Sequence, residues 1–293
     1  MAFSTLTDGT KIPSLGFGTF LSKPGEVAQA VKVALETGYR HFDFASAYQN
    51  QKEIGVALKE VFAQGKIKRE DLWLTSKLFN NDHHAEVVLP SLQQTLTDLQ
   101  VSFLDLYLIH WPICDVSDPN PVPVIETWRE LEKAKEAGLV KHIGVSNFNV
   151  QILNDLYSAS KIKPEVNQVE LHPYLQQTRL IDFCRKKGIH VTAWSPLMRV
   201  GTGQELDPLK DVVLQKIAAK HKKTITQILV RWGFQRDPNV SVIPKSVTPA
   251  RIRENFNVFD FQLDKQDLED IAKLDRHQRL SDISKIFGIP VFD

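Results

Sequence analysis

The sequence predicts a closed (β/α)8 barrel, on three observations. Eight short apolar runs recur along its 293 residues, each followed by an amphipathic helical pattern, and glycine stands just past several of the helix ends. The length suits such a barrel, which takes about 250 residues. An open, doubly wound sheet with extra elements is the alternative that the same pattern admits. No linker, low-complexity tract or shift in composition interrupts the chain, so residues 1–293 read as one domain.

The elements follow in order. FSTL and KIPSL flank Thr7-Asp8-Gly9-Thr10, a hairpin in which Asp-Gly favours a type I′ turn. The expected strands are Leu15–Thr19, His41–Ala45, Leu72–Lys77, Leu104–His110, His142–Ser146, Val166–Glu170, His190–Trp194 and Val240–Pro244. The expected helices are Glu26–Thr37, Asn50–Gln64, Glu86–Leu99, Ile125–Ala137, Gln151–Ser160, Thr178–Lys187, Thr226–Phe234 and Thr248–Asn255. Gly38, Gly65, Gly138 and Gly188 close four of them, where a left-handed residue is wanted. Two helical patterns, Lys210–His221 and Asp264–Leu274, fall outside the repeat. The last segment, SDISKIFGIPVFD, is apolar but aperiodic and is expected to fold over a barrel mouth.

Composition excludes several classes of function. A formal net charge of +1 gives no bulk field for nucleic acid or an anionic membrane. No apolar run approaches the roughly 18 residues that span a bilayer, and the N-terminus lacks the basic and apolar regions of a signal peptide. Cys114 and Cys184 lie far apart without metal-ligand spacing. The expectation is a reduced, cytoplasmic protein with no disulfide framework and no metal site.

In a barrel of this kind the C-terminal strand ends and the loops after them build the active site. Strand two ends at Asp43, with Tyr48 in the loop after it. Strand three ends at Lys77, strand four at His110 and strand five at Ser146-Asn147. Strand six carries Asn167, Gln168 and Glu170, strand seven ends at Trp194-Ser195, and strand eight leads into Lys245-Ser246. Singly, each has a plainer role as a turn residue, a cap or a solvated charge. Together, Asp43, Tyr48, Lys77 and His110 fall at one end of three consecutive strands only about 5 Å apart.

That group makes chemical sense. A tyrosine is a weak acid, with an unperturbed pKa of about 10. A neighbouring ammonium favours the phenolate, and Lys77 supplies one. Asp43 can pair with Lys77, while His110 can donate to an oxygen held in the same place. The product is a proton donor over a polarised carbonyl. Isomerases and Schiff-base aldolases also use lysine in barrels, so the reaction needs a cofactor signal.

GFGTF at Gly16–Phe20 begins like a dinucleotide fingerprint, but Leu21 stands where a third glycine belongs. VIPKSVTPARIRENF at Val242–Phe256 says more. A strand end, Lys245, the hydroxyls of Ser246 and Thr248, and a helix start at Pro249 carrying Arg251 form a candidate phosphate site. Lys245 and Arg251 suit a phosphate monoester better than a ribose diol, which would call for an acidic partner.

The segments GYRHFDFASAY, LTSKL, LDLYLIHWP, KHIGVSNF, NQVELHPY and VIPKSVTPARIRENFNVFDF occur in an order that resembles the aldo-keto reductase superfamily, in its aldose/aldehyde reductase branch. The resemblance covers about residues 5 to 275. It implies reduction of aldehydes and ketones with NADPH, by a tetrad of Tyr48, Lys77, Asp43 and His110. It implies cofactor contacts at Gly18, Thr19 and Asp43, and carboxamide contacts at Ser146, Asn147 and Gln168. Trp194 matches the aromatic stacked on the nicotinamide, and Ser195 and Leu197 match pyrophosphate contacts. Lys245, Ser246, Val247, Thr248 and Arg251 match the 2′-phosphate site, with Glu254 and Asn255 at the adenine.

The substrate pocket would hold Tyr48, His110, Phe20, Phe79 and Trp111. Phe20 and Phe79 stand where tryptophan is often found, and Trp194 where that branch usually has tyrosine. The stretch from Pro112 to Ile125 is short, and so is the one after Leu197, where MRVGTGQELDP is expected to close less fully over the pyrophosphate. The resemblance further implies a small carbonyl substrate and a monomer. A second reading is a cofactor-binding regulatory or structural member of the superfamily with little turnover.

Overall fold

The computed structural model describes residues 2–198, 200–202, 206–281 and 287–292. Strands β1 (Phe3–Thr5) and β2 (Lys11–Pro13) pair antiparallel, with Phe3 opposite Pro13 and Thr5 opposite Lys11. The turn between them is not type I′. Such a turn needs positive φ at both central residues; Gly9 has φ 89°, but Asp8 is not among the positive-φ residues. Asp8 instead accepts the Thr10 N–H at 2.9 Å, an aspartate turn in a longer loop.

The barrel strands are β3 (Phe17–Gly18), β4 (His41–Asp43), β5 (Trp73–Leu78), β6 (Leu104–Ile109), β7 (Val140–Ser146), β8 (Val166–Glu170), β9 (His190–Trp194) and β10 (Val240–Val242). Each pairs parallel with the next in chain order. The ring closes between β10 and β3. Gly16 N donates to Val242 O at 2.8 Å and Gly18 N to Pro244 O at 3.1 Å. An open sheet is thereby excluded. Strands at this seam are shorter than expected, and Pro244, which has no N–H, cannot extend β10 as a donor. Gly18 is needed there, because a Cβ would lie 2.9 Å from the Ile243 carbonyl oxygen.

The helices are α1 (Val27–Thr37), α2 (Gln51–Ala63), α3 (Ala85–Leu99), α4 (Val124–Glu136), α5 (Val150–Ala159), α6 (Thr178–Lys187), α7 (Val212–His221), α8 (Ile225–Gln235), α9 (Pro249–Phe256) and α10 (Lys265–Ala272). Their ends lie within two residues of those expected. Gly38 adopts φ 117° and returns its N–H to Ala34 O, the left-handed stop that the glycine spacing implies. No described helix is long and apolar enough to cross a membrane.

Side-chain alternation sorts the strands into two faces. On β4, Phe42 joins the main core between sheet and helices, while His41 and Asp43 lie on the other face. On β5, Trp73, Thr75 and Lys77 share one face. Trp73 joins Leu6, Ile12, Leu106, Leu108 and Val166 in a separate apolar layer, where the hairpin seals the floor of the barrel. Lys77, four residues on, stands at the opposite end.

Candidate active site

The site starts from a buried ion pair. Lys77 Nζ lies 2.7 Å from Asp43 Oδ2, 2.7 Å from Phe44 O and 3.2 Å from Tyr48 OH. The Lys77 side chain is fully buried. Its ammonium therefore has three acceptors for three protons, which offsets much of the cost of leaving water. Asp43 is held from the far side, where Gln168 Nε2 donates to Oδ1 at 2.7 Å.

Tyr48 closes a short 3-10 turn, Ser46–Tyr48, ended by Gln49 at φ 55°. Ser46 Oγ donates to Lys77 O at 3.2 Å, so the turn is fastened to β5 as well. His110 follows β6, with its ring centroid 5.9 Å from that of Tyr48. Phe20, Phe79 and Trp111 surround these two rings. Phe20 lies 5.1 Å from Tyr48, and Phe79 and Trp111 lie 5.7 and 6.1 Å from His110, between centroids. Phe20 is 53% exposed, so it forms the rim of the cup.

Burial dominates the electrostatics. It pushes the Tyr48 phenol well above its ordinary value, and the Asp43 charge adds to that. The expectation of a more acidic phenol beside Lys77 is not met: desolvation and the Asp43 charge push it the other way, and Tyr48 keeps its proton. Burial also lowers the Lys77 ammonium, against the opposing pull of Asp43. Burial, then the Lys77 charge, drives His110 well below its ordinary value, so its imidazole is neutral at physiological pH.

The expected cofactor residues fall in two groups. Ser146 and Asn147 end β7, Gln168 lies on β8 and Trp194 ends β9. Their polar atoms are already joined. Ser146 Oγ donates to Gln168 O at 2.9 Å, Asn147 Nδ2 donates to His110 O and Ser146 Oγ at 3.0 Å each, and Trp194 Nε1 donates to Asn147 Oδ1 at 3.0 Å. Both Asn147 amide protons are thus engaged, and its oxygen is taken by the indole N–H. Ser195 follows at φ 52°, and Leu197 packs on the core. The loop beyond Leu197 includes Arg199 and residues 203–205, which lie outside the described residues.

The second group lies across the seam. Lys245 bridges Gly18, and its Nζ is 3.4 Å from Leu21 O. Burial lowers the Lys245 ammonium. Ser246 Oγ accepts the Thr248 N–H at 3.2 Å, Val247 packs on the core, and Arg251 is exposed on α9. Thr19 is buried and donates to Asp43 O at 2.8 Å. Glu254 accepts the hydroxyls of Thr224 at 2.6 Å and Thr226 at 2.9 Å, which ties it to the start of α8, while Asn255 is buried.

Sequence reasoning missed one wall of the cup. Phe287 lies 5.9 Å from Trp111 and 6.5 Å from Phe79, and Phe292 lies 6.2 Å from Trp111, between ring centroids. Val291 is buried against the same tryptophan. The tail does fold over the mouth, as its apolar composition implied, and it supplies pocket residues. Residues 282–286 of that tail lie outside the described residues.

Residues 14–276 match the Aldo/keto reductase family. Aldose reductase B of Dictyostelium discoideum is 50% identical, over 96% of this chain and 95% of that protein. The Aldo-keto reductase family 1 member A1 of Gallus gallus is 46% identical, over 94% and 90%. Among solved structures, the aldose reductase of Schistosoma japonicum superposes with a TM-score of 0.92 at 38% identity, over 100% of this chain and 98% of that one. An aldo-keto reductase of Bombyx mori in complex with NADP gives 0.91 at 37%, over 99% and 98%. The chain that builds this buried pair beneath an aromatic cup belongs to the aldo/keto reductase family.

Proposed function

We propose that this enzyme reduces aldehydes and ketones to alcohols with NADPH, with Tyr48 as the proton donor. The observation that carries this reading is the run from Asp43 through Lys77 to Tyr48, with neutral His110 beside the phenol. The Lys77 ammonium donates to the phenol oxygen, so the phenol O–H is left to point at a substrate oxygen. The neutral His110 offers one ring N–H to the same oxygen.

The residues present fit the cofactor. Trp194 is fixed by Asn147 at the end of β9, suited to lie against a flat ring, and Lys245 and Arg251 offer positive charge near the start of α9. When bound, the reduced nicotinamide supplies a hydride to the carbonyl carbon. As charge grows on the oxygen, Tyr48 and His110 hydrogen bonds strengthen, which lowers the barrier. The weakened acidity of the phenol is no obstacle, because an alkoxide is a stronger base than a phenolate. Lys77 stabilises the phenolate left behind, and Asp43 keeps Lys77 in place.

The aromatic cup favours apolar or aromatic carbonyls over strongly polar ones. Tyr48→Phe tests the reading. It should remove most turnover of a simple aldehyde and leave the NADPH dissociation constant within about twofold, since the hydroxyl is asked for proton transfer worth about 100-fold or more. Near-normal kcat in that variant would remove Tyr48 from the mechanism.

A further inference from the structure

Glu170, at the end of β8, is a carboxylate that the proposed reaction does not use. It is fully buried, so its charge needs hydrogen bonds from inside the protein. Its Oε1 accepts the backbone N–H of Leu280 at 2.6 Å and faces His172 Nε2 at 3.1 Å; Oε2 faces the Ser281 N–H at 3.4 Å. Two of the three contacts reach the chain where it leaves α10 for the tail. The charge of Glu170 also acts on Arg279, whose guanidinium lies 3.5 Å from the ring centroid of Phe292. Phe292 in turn packs on Trp111.

We propose that Glu170 is a positioning residue for the substrate pocket. By holding Leu280 and Ser281, it sets the place of Phe287, Val291 and Phe292, and so the fit of bulky apolar carbonyls. A buried carboxylate is suited to this because backbone N–H bonds to an ionised oxygen are short and directional. The wall it holds lies beyond residue 276, where the family match ends. The proposal rests on the carbonyl-reductase reading for its kinetic part and stands apart from it for its structural part.

Glu170→Gln keeps the shape and removes the charge, and Glu170→Ala removes every acceptor. Two measurements are made on each: KM and kcat for 2-naphthaldehyde and for propanal, and amide hydrogen exchange of residues 287–292. In Glu170→Gln, KM for naphthaldehyde should rise about tenfold, the change expected for losing one charged hydrogen bond. Propanal kinetics and the NADPH dissociation constant should hold, tail exchange should quicken, and Glu170→Ala should go further in both. Unchanged tail exchange in Glu170→Gln overturns the proposal, and so does an equal rise in KM for both aldehydes. If the native enzyme reduces neither aldehyde, the reductase reading fails, and the exchange result still decides whether Glu170 holds the tail.

Discussion

Lys77 and Asp43 form an ion pair at 2.7 Å with side chains only 0% and 3% exposed. Such a pair is no large source of stability as a unit, but breaking it strands one charge in the core. Lys77→Met should therefore lower folding stability by about 3–5 kcal/mol. The double variant Asp43→Asn with Lys77→Met should lose less than the sum of the two single changes. Urea denaturation of all four proteins measures the coupling, and simple additivity would mean that the pair is not coupled.

Buried histidines give the fold a pH limit. Burial, then the charge of His84, pushes His83 down to about 4; burial, then His41, pushes His190 down to about 3. Both lie below the unfolded value of about 6.5. The unfolded chain therefore takes up protons that the folded chain refuses as pH falls below about 6.5. Stability is at its full value above that pH and declines on acidification, by about 1.4 kcal/mol per pH unit for each such histidine, until the folded values are reached. His83→Asn should flatten the decline between pH 6 and about 4 in denaturant titrations. An unchanged slope would assign the acid loss to other groups.

Trp194 does more than offer a flat ring. Its indole N–H satisfies Asn147 Oδ1, and Asn147 in turn holds the His110 carbonyl. Trp194→Phe keeps an aromatic face and removes that donor. It should weaken NADPH binding about fivefold, the scale of one hydrogen bond, by freeing Asn147. Quenching of protein fluorescence by NADPH reads the change; a loss as large in Trp194→Ala as in Trp194→Phe would assign everything to the hydrogen bond and nothing to stacking.

The parts legible in sequence are those fixed by short-range pattern. Strand ends placed Asp43, Lys77 and His110 together at one end of neighbouring strands, and glycine after helices marked their ends. What was not legible depends on distant groups. The hairpin turn followed the Asp8 carboxylate, which captures the Thr10 N–H, and not the type I′ preference of Asp-Gly. The Tyr48 phenol responds to desolvation by groups distant in the chain, which no neighbour in sequence reports. The Glu170 contacts join residues 110 apart in the chain, and no local pattern ties them to the tail. Asn147 also holds the His110 carbonyl, 37 residues away in the chain, and no local pattern reports that bond.

Cofactor choice is the last matter that particular side chains decide. Arg251 is exposed at the first turns of α9, and Lys245 stands at the barrel seam beside Gly18. A phosphate monoester between them would accept charge-assisted bonds that a bare ribose cannot. Arg251→Ala should then weaken NADPH about tenfold or more, since hydrogen bonds to charged groups contribute about 1.5–3 kcal/mol. NADH binding should stay within about twofold, because it presents no charge there. Raising salt should narrow the difference between the two cofactors in the native enzyme, as screening acts on the exposed guanidinium. An equal loss for both cofactors in Arg251→Ala would mean that the arginine supports the helix and not the phosphate.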